Sequence, residues 1–177
     1  RKTQWIGATA CGQMQAWDAA GCQISLAINV SARNLHEPRL ADQLASQCRV
    51  AGIEPSRLTL ELTETAAMRD AVQMMDVLTR LRVKGFHLAI DDFGTGYSSL
   101  VQLHRLPFSE IKIDRTFVSG CTTSSESRSI VRLVIELAHA LGMKAVAEGV
   151  ETADALRMLR DMGCDEAQGS FIALPIE

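Results

Sequence analysis

The chain alternates six short apolar runs with segments of helical periodicity, and no two-residue hairpin turn joins one run to the next. The runs are residues 24–30, 58–62, 86–91, 110–114, 144–148 and 166–170. Antiparallel neighbours can be joined by a two-residue turn, whereas parallel neighbours need a crossover of about a dozen residues, usually a helix. Strand, helix, strand at this rhythm predicts a parallel sheet covered by helices. The helical stripes stop at glycine: Ile6, Ala10, Met14 and Trp17 before Gly21; Leu40, Leu44, Cys48 and Ala51 before Gly52; Met68, Ala71, Met75, Leu78 and Leu81 before Gly85. Ile130, Leu133, Val134, Leu137, Ala138 and Leu141 precede Gly142, and Ala155, Leu156 and Leu159 precede Gly163. Glycine suits the left-handed residue that closes a helix. A short helix is predicted over 98–105, stopped by Pro107, and the small polar segment 119–129 is expected to be a loop.

The runs end alike. Ile28 leads to Asn29, Leu60 to Glu61, Ile90 to Asp91 and Asp92, Ile111 to Lys112 with Asp114 two residues on, Ala147 to Glu148, and Ala167 to Gln168. In a parallel sheet the C-terminal strand ends share one side, where βα barrels and doubly wound sheets place their active sites. A doubly wound fold usually carries a glycine-rich phosphate loop after its first strand, and Asn29-Val30-Ser31-Ala32 has no glycine. The preferred fold class is therefore α/β, a TIM-like (β/α)8 barrel. A closed barrel needs eight strands in about 250 residues. Residues 1–177 are accordingly read as one incomplete domain, with about six strands present and the N-terminal portion absent. The chain opens at Arg1 inside a helical pattern, as expected of a piece of a longer protein. On that expectation the sheet is open beside its first strand, leaving Leu26 and Ile28 more exposed than core residues.

Composition narrows the class. Hydrophobic residues at 47% and charged residues at 22% are the proportions of a folded globular domain. No apolar run nears the ~18 residues that a membrane span needs. A net charge of −3 argues against holding a DNA or RNA polymer on a basic surface. The five cysteines include no CxxC pair, so they are read as reduced thiols of a cytoplasmic domain rather than a disulfide frame or zinc site.

Asn29, Glu61, Asp91, Asp92 and Glu148 offer oxygen atoms only, which favours Mg2+ or Mn2+ over Zn2+. Adjacent aspartates can serve two ions, with Asp91 between them and Asp92 on the second. Such a pair of ions clamps a phosphoryl group and activates a water. Metal would also let an acidic site accept an anionic phosphate. Lys112 is placed to orient that water or to offset negative charge. Singly, each residue has a plainer explanation. Asn29 or Glu61 could cap a helix, Asp91-Asp92 could be turn residues before Gly94, and Lys112 with Asp114 could be a structural ion pair. Glu64 could simply begin a helix, where an acid suits the dipole. Six polar strand ends on one rim make a shared site the stronger explanation.

Several strings carry a resemblance: Asn29-Val30-Ser31-Ala32, Glu61-Leu62-Thr63-Glu64, Asp91-Asp92-Phe93-Gly94-Thr95-Gly96-Tyr97-Ser98-Ser99-Leu100, Lys112-Ile113-Asp114, Glu148-Gly149-Val150-Glu151-Thr152 and Gln168-Gly169. In this order, across essentially the whole chain, they resemble the EAL-domain cyclic di-GMP phosphodiesterases. The resemblance implies a TIM-like barrel, two Mg2+ or Mn2+ ions, and hydrolysis of one phosphodiester of cyclic di-GMP to linear pGpG in bacterial signalling. It implies Asn29, Glu61 and Asp91 on the first ion, and Asp91, Asp92 and Glu148 on the second. It gives Lys112 the attacking water, Gln168 the water or substrate network, Glu64 the anchoring of loop 93–100, and Asp114 the support of Lys112. That loop is expected to be mobile or to help form a homodimer. The Glu-Ala-Leu tripeptide that names the family, whose Glu is a further ligand of the first ion, is not in this sequence. The complete parent is therefore expected to be an active enzyme and the chain alone a poor one. Attached sensor or GGDEF-type domains, and a parent with or without a membrane tether, are further implications. A receptor that holds cyclic di-GMP without cutting it, and a purely structural barrel, are the competing readings. Loss of a metal ligand or of the DDFG loop would favour the receptor, and those present here are intact.

Overall fold

The computed structural model describes residues 2–69, 71–96 and 99–174. Helix α1 (Lys2–Ala19) leads to strand β1 (Leu26–Asn29), then α2 (Ala32–Leu35), α3 (Leu40–Ala51) and a 3-10 turn at Pro55–Arg57. Next come β2 (Leu58–Thr63), α4 (Glu64–Arg69), α5 (Ala71–Val83), β3 (His87–Phe93), α6 (Leu100–Arg105) and β4 (Glu110–Ile113). The chain continues through α7 (Arg115–Gly120), α8 (Ser125–Ala140), β5 (Lys144–Ala147), α9 (Ala153–Asp161) and β6 (Glu166–Ala167). Among the described residues no helix is long and apolar enough to cross a membrane.

The six strands lie side by side in chain order, and every neighbouring pair is parallel. A doubly wound sheet would reverse its order partway, at its switch point. Here each strand is added on the same side, so the sheet is singly wound, as in a barrel. It is also curled. Strands two apart stand about 10 Å from each other in a flat sheet, yet Thr59 Oγ1 on β2 lies 3.5 Å from Glu110 Oε1 on β4. The α/β architecture is thus an open, six-stranded part of a TIM-like barrel.

Alternation along the strands builds the two faces. Leu58, Leu60, Leu62, Leu88, Ile90, Ile111, Ile113, Ala145 and Ala147 point to the helices and are fully buried. Each leucine or isoleucine so buried contributes about 1.5–3 kcal/mol. The other face is concave and polar. Register places Asn29 beside Glu61, and Lys112 beside Val146.

Four expectations need correction. Ile28 is only 8% exposed, and the exposed positions of β1 are Ala27 and Asn29. Ile28 faces the helical layer, where α1 packs, so an unpaired strand edge does not uncover it, whereas Leu26 is only half-buried and more exposed than the core, as expected. Segment 119–129 is a loop only over residues 121–124: α7 runs into it, and α8 begins at Ser125 with the Ser124 hydroxyl accepting from the Ser127 amide at 3.2 Å. Small polar residues that look like a loop are also the best helix caps. Met68 belongs to α4 and the rest of its predicted stripe to α5. The sixth strand is only Glu166–Ala167, because Gly169 turns against Val150. Tyr97 and Ser98, inside the loop expected to be mobile or dimerising, lie outside the described residues.

Candidate active site at the strand ends

Adjacent residues on a regular strand point to opposite faces, so Asp91 and Asp92 should not share a site. They do because the strand is irregular there. The β3–β4 register shifts between Ile90 and Phe93. Asp92 has φ of 55°, a left-handed conformation found in no other described non-glycine residue. Bulges of this kind re-aim side chains at sheet rims. Carboxylate oxygens of Asp91, Asp92 and Glu148 consequently lie within 4.8 Å of one another.

Lys112 stands at the centre of the cluster, buried on β4. Its ammonium is 2.7 Å from Glu61 Oε1, 2.9 Å from Asp91 Oδ1 and 2.5 Å from Glu148 Oε1, so one cation joins carboxylates from three other strands. Burial alone would lower the Lys112 pKa. The carboxylates of Glu148, Glu61 and Asp91 around it outweigh that and hold it above the ordinary lysine value. Burial raises the Glu148 carboxyl above the usual carboxylate range, with Lys112 opposing. Asp92 is raised too, by burial first and then by the charges of Asp91 and Asp114. Gln168 Nε2 donates to Glu148 Oε1 at 2.8 Å and steadies that carboxylate.

The group fits a hard divalent cation. Its donors are carboxylate oxygens, with no sulfur or imidazole among them. Asp91 Oδ1, although at ion-pair distance from Lys112, is buried and has no hydrogen bond directed at it. That leaves a lone pair for a metal. Raised carboxyl groups crowded together also gain from an added positive charge.

The remaining candidates fall around this centre. Asn29 is exposed at the end of β1, paired in register with Glu61. Glu64 is 2% exposed and starts α4. Its Oε2 accepts from the amides of Gly94 at 2.9 Å and Gly96 at 3.1 Å, fastening the loop after the aspartate pair. A Cβ on Gly96 would come within 3.0 Å of that carboxylate, so the close approach needs glycine. Asp114 caps α7, accepting from the Thr116 amide at 2.8 Å and from the Thr116 hydroxyl. Its side chain is turned to Thr116 and Asp92 instead of supporting Lys112 directly. Two glycines behind the rim escaped sequence reasoning. Gly149, with φ of 68°, would place a Cβ 2.6 Å from Arg115 Cβ, and a Cβ on Gly169 would strike the Val150 backbone. Their occurrence directly after Glu148 and Gln168 was the available signal.

Comparisons with known proteins bear on the family and the fold. The family model of the EAL domain matches residues 2–175. The chain is 40% identical over 174 residues to the bifunctional diguanylate cyclase/cyclic di-GMP phosphodiesterase MucR of Pseudomonas aeruginosa, covering 98% of this chain and 25% of MucR. A solved structure of PaMucR phosphodiesterase with c-di-GMP superposes with a TM-score of 0.91 at 40% identity, over 98% of this chain and 71% of that one. The EAL domain of Mycobacterium smegmatis DcpA gives a TM-score of 0.91 at 40% identity, over 98% and 78%. Klebsiella pneumoniae BlrP1, solved with manganese and cy-diGMP, gives 0.84 at 35% identity, over 94% and 42%. With a single family model running from residue 2 to residue 175, the chain belongs to the EAL domain family.

Proposed function

We propose that this chain carries a cyclic di-GMP phosphodiesterase centre that hydrolyses one phosphodiester of the ring to linear pGpG. The observation that carries the proposal is the bulged Asp91–Asp92 pair meeting Glu148 within 4.8 Å on the C-terminal rim. The naming of MucR as a cyclic di-GMP phosphodiesterase supports it.

Asn29, Glu61 and Asp91 would hold one Mg2+ or Mn2+, and Asp91, Asp92 and Glu148 a second. Bound there, the ions would neutralise the scissile phosphate and lower the pKa of a water. The chain's own residues do the rest. The Lys112 ammonium, fixed by three carboxylates, presents positive charge where an attacking oxygen and a phosphate oxygen would crowd together. Gln168 holds Glu148 in one orientation. Glu64 keeps the Gly94–Gly96 backbone folded back from the centre. Water oxygen bonds to phosphorus, the bond to the 3′ oxygen breaks, and that oxygen takes a proton, leaving a 5′ phosphate.

The proposal extends to a homodimer of a longer cytoplasmic signalling protein with sensor or GGDEF-type domains attached. Its test is chromatography of the native full-length protein's products from cyclic di-GMP, with Mg2+, with Mn2+ and after chelation. pGpG formed only with divalent metal is the expected result. Tight binding of uncut ring in both metals would make the protein a receptor instead. Light scattering of the same sample tests the dimer.

A further inference from the structure

A hollow of about 280 Å³ opens beside the acidic rim, between α2 and α4. Arg33 and His36 line it from the α2 side, Arg69 from the end of α4, and Thr63 and Thr65 contribute hydroxyls. Among the described residues no carboxylate lines it. Arg33 and Arg69 are both exposed, and neither guanidinium makes an ion pair or hydrogen bond among the described residues. Two arginines sharing one hollow repel each other, and a bound anion reverses that cost. The setting makes the feature notable: the chain has a net charge of −3, and the adjoining rim is built from carboxylates.

The hollow approaches the candidate active site through Thr63 at the end of β2. Thr63 pairs in register with Asp91. It lies two residues beyond Glu61 on the same face of β2, about 7 Å along the strand. An anion in the hollow is therefore within one nucleotide's reach of the aspartate pair.

We propose that Arg33 and Arg69 bind the phosphodiester of cyclic di-GMP that is not cut. This rests on the phosphodiesterase reading above. The ring carries two phosphodiesters. When one lies against the acidic rim, the other still bears its full negative charge, and the acidic residues repel it. Guanidinium forks recognise phosphate oxygens in pairs, with threonine hydroxyls able to donate alongside. Arg33 and Arg69 touch no reacting atom in this arrangement. They fix substrate affinity and ring orientation, and they favour a cyclic dinucleotide over a substrate with a single phosphodiester.

Steady-state kinetics of the full-length protein and its Arg33→Ala, Arg69→Ala and double variants test this, with cyclic di-GMP and bis(p-nitrophenyl) phosphate as substrates. Each alanine should raise KM for cyclic di-GMP about tenfold or more, the range expected for losing a charged hydrogen bond. kcat should fall less than KM rises, and the loss should be several-fold smaller on the single diester. Arg33→Lys, which keeps the charge but loses the fork, should recover part of the affinity. An unchanged KM in the double variant, equal losses on both substrates, or a fall in kcat alone would overturn the proposal. If the wild-type protein makes no pGpG, the phosphodiesterase reading fails. Calorimetric titration of cyclic di-GMP into wild-type and double variant then decides the hollow separately, with equal affinity or no binding counting against it.

Discussion

Asp92 combines a left-handed backbone with a carboxyl raised by burial and by Asp91. Asp and Asn tolerate positive φ better than other side chains with a Cβ. Asp92→Asn therefore removes charge while preserving both shape and backbone. Relief of repulsion should leave the melting temperature unchanged or higher. Hydrolysis of cyclic di-GMP should slow at least ~10²-fold, as when a key charge-stabilising group is lost. A pGpG assay against Mg2+ concentration, run beside a thermal melt, checks both halves, and a variant matching wild type at every concentration would end the metal role. Glu64→Ala leaves the Gly94 and Gly96 amides without their side-chain acceptor and loosens the loop. Activity should drop while the circular dichroism spectrum stays native; unaltered turnover would remove the anchoring role. The site residues themselves were legible as strings in the sequence. What made Asp91 and Asp92 neighbours in space was not, because the bulge depends on how β3 pairs with β4, a partner about 20 residues away.

Among the elements, α8, β5 and β6 meet at Asp165, whose Oδ2 accepts from the Ala145 amide at 2.8 Å and contacts His139 Nε2 at 2.8 Å. Burial would raise its carboxyl, but the Ala145 hydrogen bond and His139 outweigh that and hold it below the usual range. A carboxyl lowered on folding contributes stability that is complete above its unfolded pKa of about 4 and is lost as pH falls through the lower folded value. Asp165→Asn should therefore flatten part of the acid limb of a stability curve below about pH 4 and leave its slope near neutrality alone. Urea melts at pH 3, 4 and 7 measure this, and an unchanged acid limb would exclude the linkage. Element order, parallel pairing and the helix stops at Gly21, Gly52, Gly85, Gly142 and Gly163 were legible, since each rests on local pattern and these glycines do take positive φ. The start of α8 was hidden because a serine run suits a cap and a loop equally. Gly149 and Gly169 were hidden because only the fold brings Arg115 and Val150 against them.

For the molecule as a whole, Lys112 is a built-in counter-ion. Its ammonium lies within 2.9 Å of Glu61, Asp91 and Glu148 and offsets part of their charge. Chelation should thus abolish hydrolysis yet shift the melting temperature little, unlike domains whose folding depends on a structural ion. Lys112→Met should be strongly destabilised in chelator, by about 3–5 kcal/mol, because it leaves buried carboxylates unpaired. Mg2+ should restore part of that loss. A variant as stable as wild type in chelator would show that the carboxylates do not need the ammonium. The strand order, β1 through β6 exactly as the chain runs, bears on biosynthesis. Every new strand pairs with the one made just before it, so no early segment must wait exposed for a distant partner, and each βα unit can dock as it leaves the ribosome. Pulse-labelled amide exchange during refolding should accordingly protect β2 and β3 without requiring β6. The carboxylate cluster matures in steps on that schedule: Lys112 can gather Glu61 and Asp91 once β4 has emerged, but it meets Glu148 only after β5, and the rim is complete only when Gln168 has followed β6.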